Sequence, residues 1–459
     1  MSFASIMFIL YFIPICVVLY YFLRKINNVL AGFILIVFNA YFYTLQAPEY
    51  LILMCVLVMI TLISAYLISR FDGRISKIIM EISVLSISVV LVFFKYTNML
   101  FATDIVFPIG LSFFVFRNLS YIIDIYKKKI QFDKNIVKTL VYLTFFAHVI
   151  SGPIERYDDF YKGSEKFNIE TFSDGLKRFI IGLGKKIIIA DALSHMQKSL
   201  DMVPISKSPA SFLWIMSIIY SLQLYYDFSG YSDMAIGITE IFGFKCRENF
   251  DYPYMTKSIS GFWKRWHISL GAWFRDYVYI PMGGSRVGKK RLVMNLFIVW
   301  LLTAVWHGSK VTFLIWGLGY FMLIIFEKLI LHPEKLGRIS SIFYRIITLF
   351  FINLLWIVFR INDVGTLSAY LRRMFGISSV EGVDVNVWTM VWDYKFFVAA
   401  AVLFAFPVYK KLQGIIKVKT KKTQVAIEVV STIVLLTLFV LCISFIVAVA
   451  NNPFAYQNF

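Results

Sequence analysis

Long uninterrupted apolar runs, each near the length of a membrane crossing, dominate the chain. A spanning helix needs about 20 largely apolar residues, and runs of this kind lie at 5–23, 29–45, 50–69, 78–96, 209–227, 292–307, 311–331, 343–359 and 426–449. Shorter or more polar runs lie at 105–123, 137–152, 177–194 and 395–408. The apolar positions are continuous rather than alternating, which argues against barrel strands and predicts helices. The expected fold is an all-α polytopic membrane protein with roughly ten to twelve crossings, some weak segments being re-entrant. The opening MSFASIMFILYFIPICVVLYYFL lacks a basic n-region and a small-residue cleavage site, so it reads as a retained first span. No direct or inverted repeat is visible, which weakens a secondary-transporter reading. No soluble domain interrupts the pattern, and residues 1–459 read as a single membrane-embedded domain.

Composition agrees with this pattern. Apolar residues make up 59% of the chain and charged residues only 16%, with a mean hydropathy of +0.74, whereas soluble domains run near half apolar and about a quarter charged. The net charge of +19 would suggest nucleic acid in a soluble protein. Here no basic soluble domain exists to carry such a partner, and Lys and Arg instead mark cytoplasmic loops. Arg24 and Lys25, then Arg70, Arg74 and Lys77, then the cluster Lys127–Lys129 with Lys134 and Lys138 fall on one side. The loop at Gln46–Glu49 has no Lys or Arg, so the N-terminus is expected outside. The run Lys410–Lys422 and the group Arg286, Lys289, Lys290 and Arg291 are expected inside, and the C-terminus outside. Counting every weak segment from 137 to 227 as a crossing gives the wrong parity, so at least one is expected to turn back. Cys16, Cys55, Cys246 and Cys442 show no metal-ligand spacing and no disulfide framework, and no metal site is expected.

The candidate chemistry concentrates between Tyr225 and Gly319, where polar groups interrupt the apolar pattern. His307 ends the run LVMNLFIVWLLTAVWHG, which starts beside a basic loop. About sixteen helical residues carry the chain roughly 24 Å from that loop, deep into the membrane or towards its outer edge. A neutral imidazole there can serve as a general base towards a hydroxyl, and a packed, hydrogen-bonded core histidine is the bland alternative. His267 lies in WKRWHISLGAWFRDYVY, which alternates aromatics with basic residues as interfacial or re-entrant helices do. Asp227 and Asp233 flank Gly230 and need partners in lipid; Arg265 and Arg275 are the expected ones, or else anchors for an anionic ligand. Asp276, beside Arg275, reads as structural. GGSRVGKK resembles a phosphate cradle in composition only, lacking the nucleotide-loop spacing, but its charge could contact the phosphates of a large donor. On these residues alone a proton-coupled transporter and a transferase both remain open.

The same residues resemble the membrane-bound O-acyltransferases. The matching stretches are DFSGYSDMAIGI at 227–238, ISGFWKRWHISLGAWFRDYVYIPMGG at 259–284 and WHGSKVTFLIWG at 306–317, with FPIGLSFFVFRNLSYIIDIY, SGPIERYDDF and GLGKKIIIADAL before them. The opening and the final PFAYQNF are similar as well, and within the family the likeness is strongest to the bacterial alginate O-acetylation branch. The resemblance implies a helical bundle whose central helices and re-entrant loops line a tunnel, with a catalytic core at 225–319. It implies His307 as the catalytic residue and His267 as the second family histidine. Trp306, Asp227, Tyr231, Asp233, Trp263, Arg265, Trp266, Arg275 and Asp276 are the substrate-binding candidates within the matching motifs.

The implied activity is acetyl transfer from a cytoplasmic thioester to a hydroxyl of an extracellular or envelope polysaccharide. Acetyl-CoA, or another acyl thioester, is the expected donor, and no bound cofactor is expected. Expected partners besides membrane lipid are an extracytoplasmic SGNH-like acetyltransferase and a polymer synthase complex. D-alanyl transfer to teichoic acids is the alternative within the family; that branch departs from YIPMGGSRVGKKR and lacks the SDMAIG form. A proton-coupled polysaccharide exporter is the alternative outside it. The implied location is a bacterial plasma membrane.

Overall fold

The computed structural model describes residues 2–101, 105–163, 167–379, 387–408 and 421–448. The sequence readings at Lys410–Lys422 fall mostly outside these residues, and those on PFAYQNF and the C-terminus wholly so. Among the described residues the chain is helical, and its only β feature is an isolated bridge between Phe250 and Trp266. Among the described residues, six helical stretches are long and apolar enough to cross a membrane: Met7–Ile26, Pro48–Arg70, Gly73–Phe101, Val311–Leu331, Arg338–Arg360 and Thr423–Ala448. Asn28–Thr44 and Lys395–Phe404 are shorter apolar helices. The chain is thus a multi-pass membrane protein.

Two compact units divide the chain. The first comprises residues 1–182 and 231–248. It contains α1 (Ile13–Ile26, preceded by a π-helical stretch Met7–Phe12), α2 (Asn28–Thr44), α3 (Leu51–Arg70), α4 (Gly73–Phe101), α5 (Leu111–Tyr126) and α6 (Ile136–Thr144), and most of α7 (Ile169–Gly184). Between apolar helices in lipid no hydrophobic force favours association, so small and polar residues join them. Accordingly Thr61 Oγ1 donates to Asn118 Oδ1 at 2.6 Å and Ser83 Oγ donates to Ser64 Oγ at 2.7 Å. The run at 137–152 does not form one crossing, because the helix breaks after Thr144. Asn39 accounts for the break: its amide donates to Thr144 Oγ1, and its carbonyl accepts from Phe146 N at 3.0 Å, satisfying a backbone group freed there. α7 meets the segment after Gly230 backbone to backbone. A Cβ built on Gly175 would lie 2.6 Å from Gly237 O, and one on Gly237 2.5 Å from Gly175 O. Only glycine permits this approach.

The second unit comprises the described residues within 183–230 and 249–448. A π-helical stretch at Lys185–Ala190 leads into α8 (Asp191–Asp201), followed by α9 (Ala210–Ile241), whose residues up to Gly230 belong here. Two short helices, α10 (Ile259–Trp263) and α11 (Ile268–Phe274), hold the aromatic-basic segment. The longer helices α12 (Lys289–His307), α13 (Val311–Phe326) and α14 (Arg338–Arg360) come next, then α15 (Val364–Met374), α16 (Lys395–Phe404) and α17 (Lys421–Ala448). The core here is aromatic: Trp266, Trp316, Trp356 and Tyr320 are all fully buried.

Candidate active site

α12 runs from the basic loop to His307, its last residue, and stops there because Gly308 takes φ 155°, a conformation glycine accommodates. The loop before it is folded onto the helix: Asn295 Nδ2 donates to Met282 O and Gly284 O, and Arg291 Nε donates to Met282 O. The GGSRVGKK segment is therefore a turn that starts α12. Its glycines serve that turn, Gly283 and Gly284 both having positive φ.

His307 is 5% exposed and walled by rings. Trp306 lies 4.6 Å away, Trp316 4.9 Å and nearly perpendicular, and Phe359 of α14 5.0 Å, also nearly perpendicular. Trp316 and Trp356 continue this wall to Trp263 and Trp266. Such an enclosure excludes water from the imidazole and strengthens any polar contact made inside it.

His267 precedes α11 in a left-handed conformation, φ 46°. It is 2% exposed and faces Phe228 of α9, 4.7 Å away edge to face. Its Nδ1 lies 3.1 Å from Asn249 Oδ1, which also accepts from Ser269 N and Oγ. Because that atom accepts from a backbone N–H it is the amide oxygen, so His267 Nδ1 carries the proton and Nε2 the lone pair. Trp306 stands beside both histidines, its ring centre 6.3 Å from that of His267. The two candidates for chemistry thus meet one indole within a single unit.

The backbone that positions His267 is held by Glu327, a buried residue at the end of α13. Its carboxylate accepts from Ile259 N at 2.5 Å and Ser260 N at 2.8 Å, the first N–H groups of α10, and from Tyr344 Oη at 2.8 Å. A carboxylate at a helix start satisfies donors that have no partner within the helix.

The expected partners of the two aspartates are not the ones found. Asp227 pairs with Lys186, whose ammonium lies 2.7 Å from Asp227 Oδ1 and 2.8 Å from Asp191 Oδ1. Asp233 belongs to the first unit, where Arg178 binds it at 2.7 Å and also binds Glu248. Arg265 turns to Asp251 at 2.8 Å, and Arg275 to its neighbour Asp276 at 2.8 Å. The reason is local: Arg265 is bridged to the strand-like backbone of Asp251, whose amide donates to Arg265 O, and Arg275 is more than half exposed.

Of the remaining candidates, Trp263 lies among Trp300, Trp316 and Tyr320. Trp266 stacks on Phe262 and lies 4.8 Å from Trp356. Tyr231 lies in the first unit, stacked on Phe3 at 4.9 Å. The sequence reading missed Asn249, Glu327, Lys186, Trp316, Trp356 and Phe359 as site-forming residues. A charged residue inside an apolar run was a usable signal for Glu327 and Lys186; none marked Asn249.

A family model described as MBOAT, membrane-bound O-acyltransferase family, matches residues 128–369, which contain both histidines. The probable alginate O-acetylase AlgI of Pseudomonas syringae pv. tomato is 36% identical over 289 residues, covering 62% of this chain and 55% of that protein. The chain thus spans little more than half the length of such alginate relatives. The peptidoglycan O-acetyltransferase of Helicobacter pylori is 30% identical over 424 residues, 82% of this chain and 80% of that protein. The teichoic acid D-alanyltransferase of Bacillus subtilis is 32% identical over 237 residues, 48% of this chain and 60% of that protein. With more than half of its length matched by the family model, and a long alignment to a relative of similar extent, the chain belongs to the membrane-bound O-acyltransferase family.

Proposed function

We propose that the protein is a membrane O-acetyltransferase that moves an acetyl group from a cytoplasmic thioester, acetyl-CoA or another acyl carrier, to a hydroxyl of a cell-envelope polysaccharide. The transfer is either direct or by way of an extracytoplasmic acetyltransferase partner. His307 takes the proton from the acceptor hydroxyl as its oxygen attacks the thioester carbonyl. The carbon–sulfur bond then breaks, and the proton leaves with the thiolate as a free thiol. His267, its Nδ1 held by Asn249, orients the donor or, once Nε2 has taken up a proton, assists departure of the sulfur.

What supports this reading most is the convergence of His307 and His267 on Trp306 inside a water-poor aromatic enclosure. Acetyl rather than D-alanyl transfer is favoured by the long alignment to a relative named for peptidoglycan O-acetylation.

The test uses purified protein in lipid with labelled acetyl-CoA, a D-alanyl thioester, and envelope polysaccharide with or without a partner acetyltransferase. Acetyl transfer is expected, with His307→Ala lowering the rate by about 10²–10⁴-fold at unchanged thermal stability. Unaltered transfer in His307→Ala would sink the catalytic assignment. Transfer from the D-alanyl donor alone would move the protein to the other branch, and substrate flux in vesicles without any thioester would favour an exporter.

A further inference from the structure

In the first unit, away from both histidines in sequence, α1, α2 and α6 enclose a cavity of about 180 Å³ with a marked polarity gradient. α2 and α6 run side by side in the same direction: Gly32 adjoins Val137, and seven residues on Asn39 bonds Thr144. The end of α1 and the starts of α2 and α6 therefore share one end of the cavity. That end carries Arg24, Asn28, Asn135 and Lys138. It is also the end where Lys25 and Lys134 lie, which the positive-inside rule assigns to the cytoplasm. One to two turns further in, the lining becomes Ala31, Leu35 and Val141, all buried and apolar.

The two cations are held in place by tyrosines. Arg24 Nη1 donates to Tyr20 Oη at 3.4 Å, and Lys138 stands 5.8 Å from the ring of Tyr161, whose hydroxyl donates to Lys138 O at 2.7 Å. Beside the cavity, α2 presents Val29, Leu30 and Phe33 as exposed apolar side chains, the surface expected to face lipid tails.

From this gradient we infer that the cavity binds an anionic phospholipid of the cytoplasmic leaflet, its phosphate between Arg24 and Lys138 and the start of an acyl chain against Leu35 and Val141. An Arg fork and a Lys point charge are suited to phosphate oxygens, and juxtamembrane cations attract anionic headgroups. A soluble phosphate has no use for the apolar depth, and in a zwitterionic lipid the headgroup ammonium offsets the attraction of the phosphate to the two cations. This site does not depend on the acyl-transfer reading.

Native mass spectrometry of the delipidated full chain, titrated with phosphatidylglycerol or phosphatidylcholine, tests it. The unaltered protein is expected to retain phosphatidylglycerol about tenfold better, with glycerol phosphate failing to compete. The double variant Arg24→Gln/Lys138→Gln is expected to lose that preference, while Arg70→Gln/Lys77→Gln keeps it. Equal retention of the two lipids by the unaltered protein overturns the proposal, as does displacement by glycerol phosphate at lipid-like concentrations. Those two measurements decide the matter even if the double variant fails to fold, and a folded double variant that keeps the preference overturns it as well.

Discussion

Asn249 illustrates how much one unremarkable side chain sets at this site. Its amide oxygen receives His267 Nδ1, Ser269 N and Ser269 Oγ, so it fixes the tautomer and the start of α11 together. Replacing it with Leu leaves buried donors without that acceptor, at about 1–3 kcal/mol. The expected outcome for Asn249→Leu is a lower melting temperature and a loss of the proposed acetyl transfer larger than the stability loss explains. Asn249→Asp, which keeps the acceptors, should recover much of the stability. His267 and His307 were legible in the sequence because polar rings among apolar runs stand out. Asn249 was not, since an Asn in a polar loop carries no periodic signal. The misassigned partners of Asp227 and Asp233 share a cause: Arg265 and Arg275 lie in the same polar stretch, Tyr225–Gly319, as the aspartates, whereas Lys186 and Arg178 precede that stretch, 41 and 55 residues before their partners.

The short α10 exists because something outside it holds its start. Five residues are too few for a stable isolated helix, and Glu327 supplies the missing acceptors for Ile259 N and Ser260 N. Glu327→Ala should therefore destabilise the protein by about 2–4 kcal/mol. It should also reduce the proposed acetyl transfer through displacement of Trp263 and Trp266, although Glu327 touches neither histidine in the contacts described above. Tyr344→Phe, which removes one donor to the same carboxylate, should cost about 1 kcal/mol. A double-mutant cycle by thermal melting checks their coupling. Lys186 makes the same point for α9: Lys186→Met strands two buried carboxylates, and about 3–5 kcal/mol of stability should be lost. Adding Asp191→Asn and Asp227→Asn should restore part of it. The apolar runs foretold where most long helices lie, but not the interruption after Thr144, because Asn39 causes it from another helix.

The charge pattern makes a topology prediction that the helices alone leave open. In a cysteine-free background, Ser285→Cys in the loop before α12 should react with an impermeant maleimide only in inside-out vesicles, and Gln46→Cys only in intact cells. Labelling of both from one side would overturn the assigned orientation. Family membership was legible because the motifs at 227–238, 259–284 and 306–317 are long and contiguous. The division into two units was not, because α9 is one unbroken helix of 32 residues whose final part, from Tyr231, belongs with the first unit.

Within that first unit, the Gly175–Gly237 crossing constrains the chain's capacity for change. Any Cβ at either position would meet the other's carbonyl oxygen at 2.6 Å or less, and because that obstacle is backbone, no neighbouring rotamer can relieve it. In a saturation library selected for surface-independent folding, these two columns should therefore be nearly blank, even for alanine. The lipid-facing positions around them should tolerate almost any apolar letter. A lineage can redesign the outside of these helices freely, but at 175 and 237 its alphabet has one member.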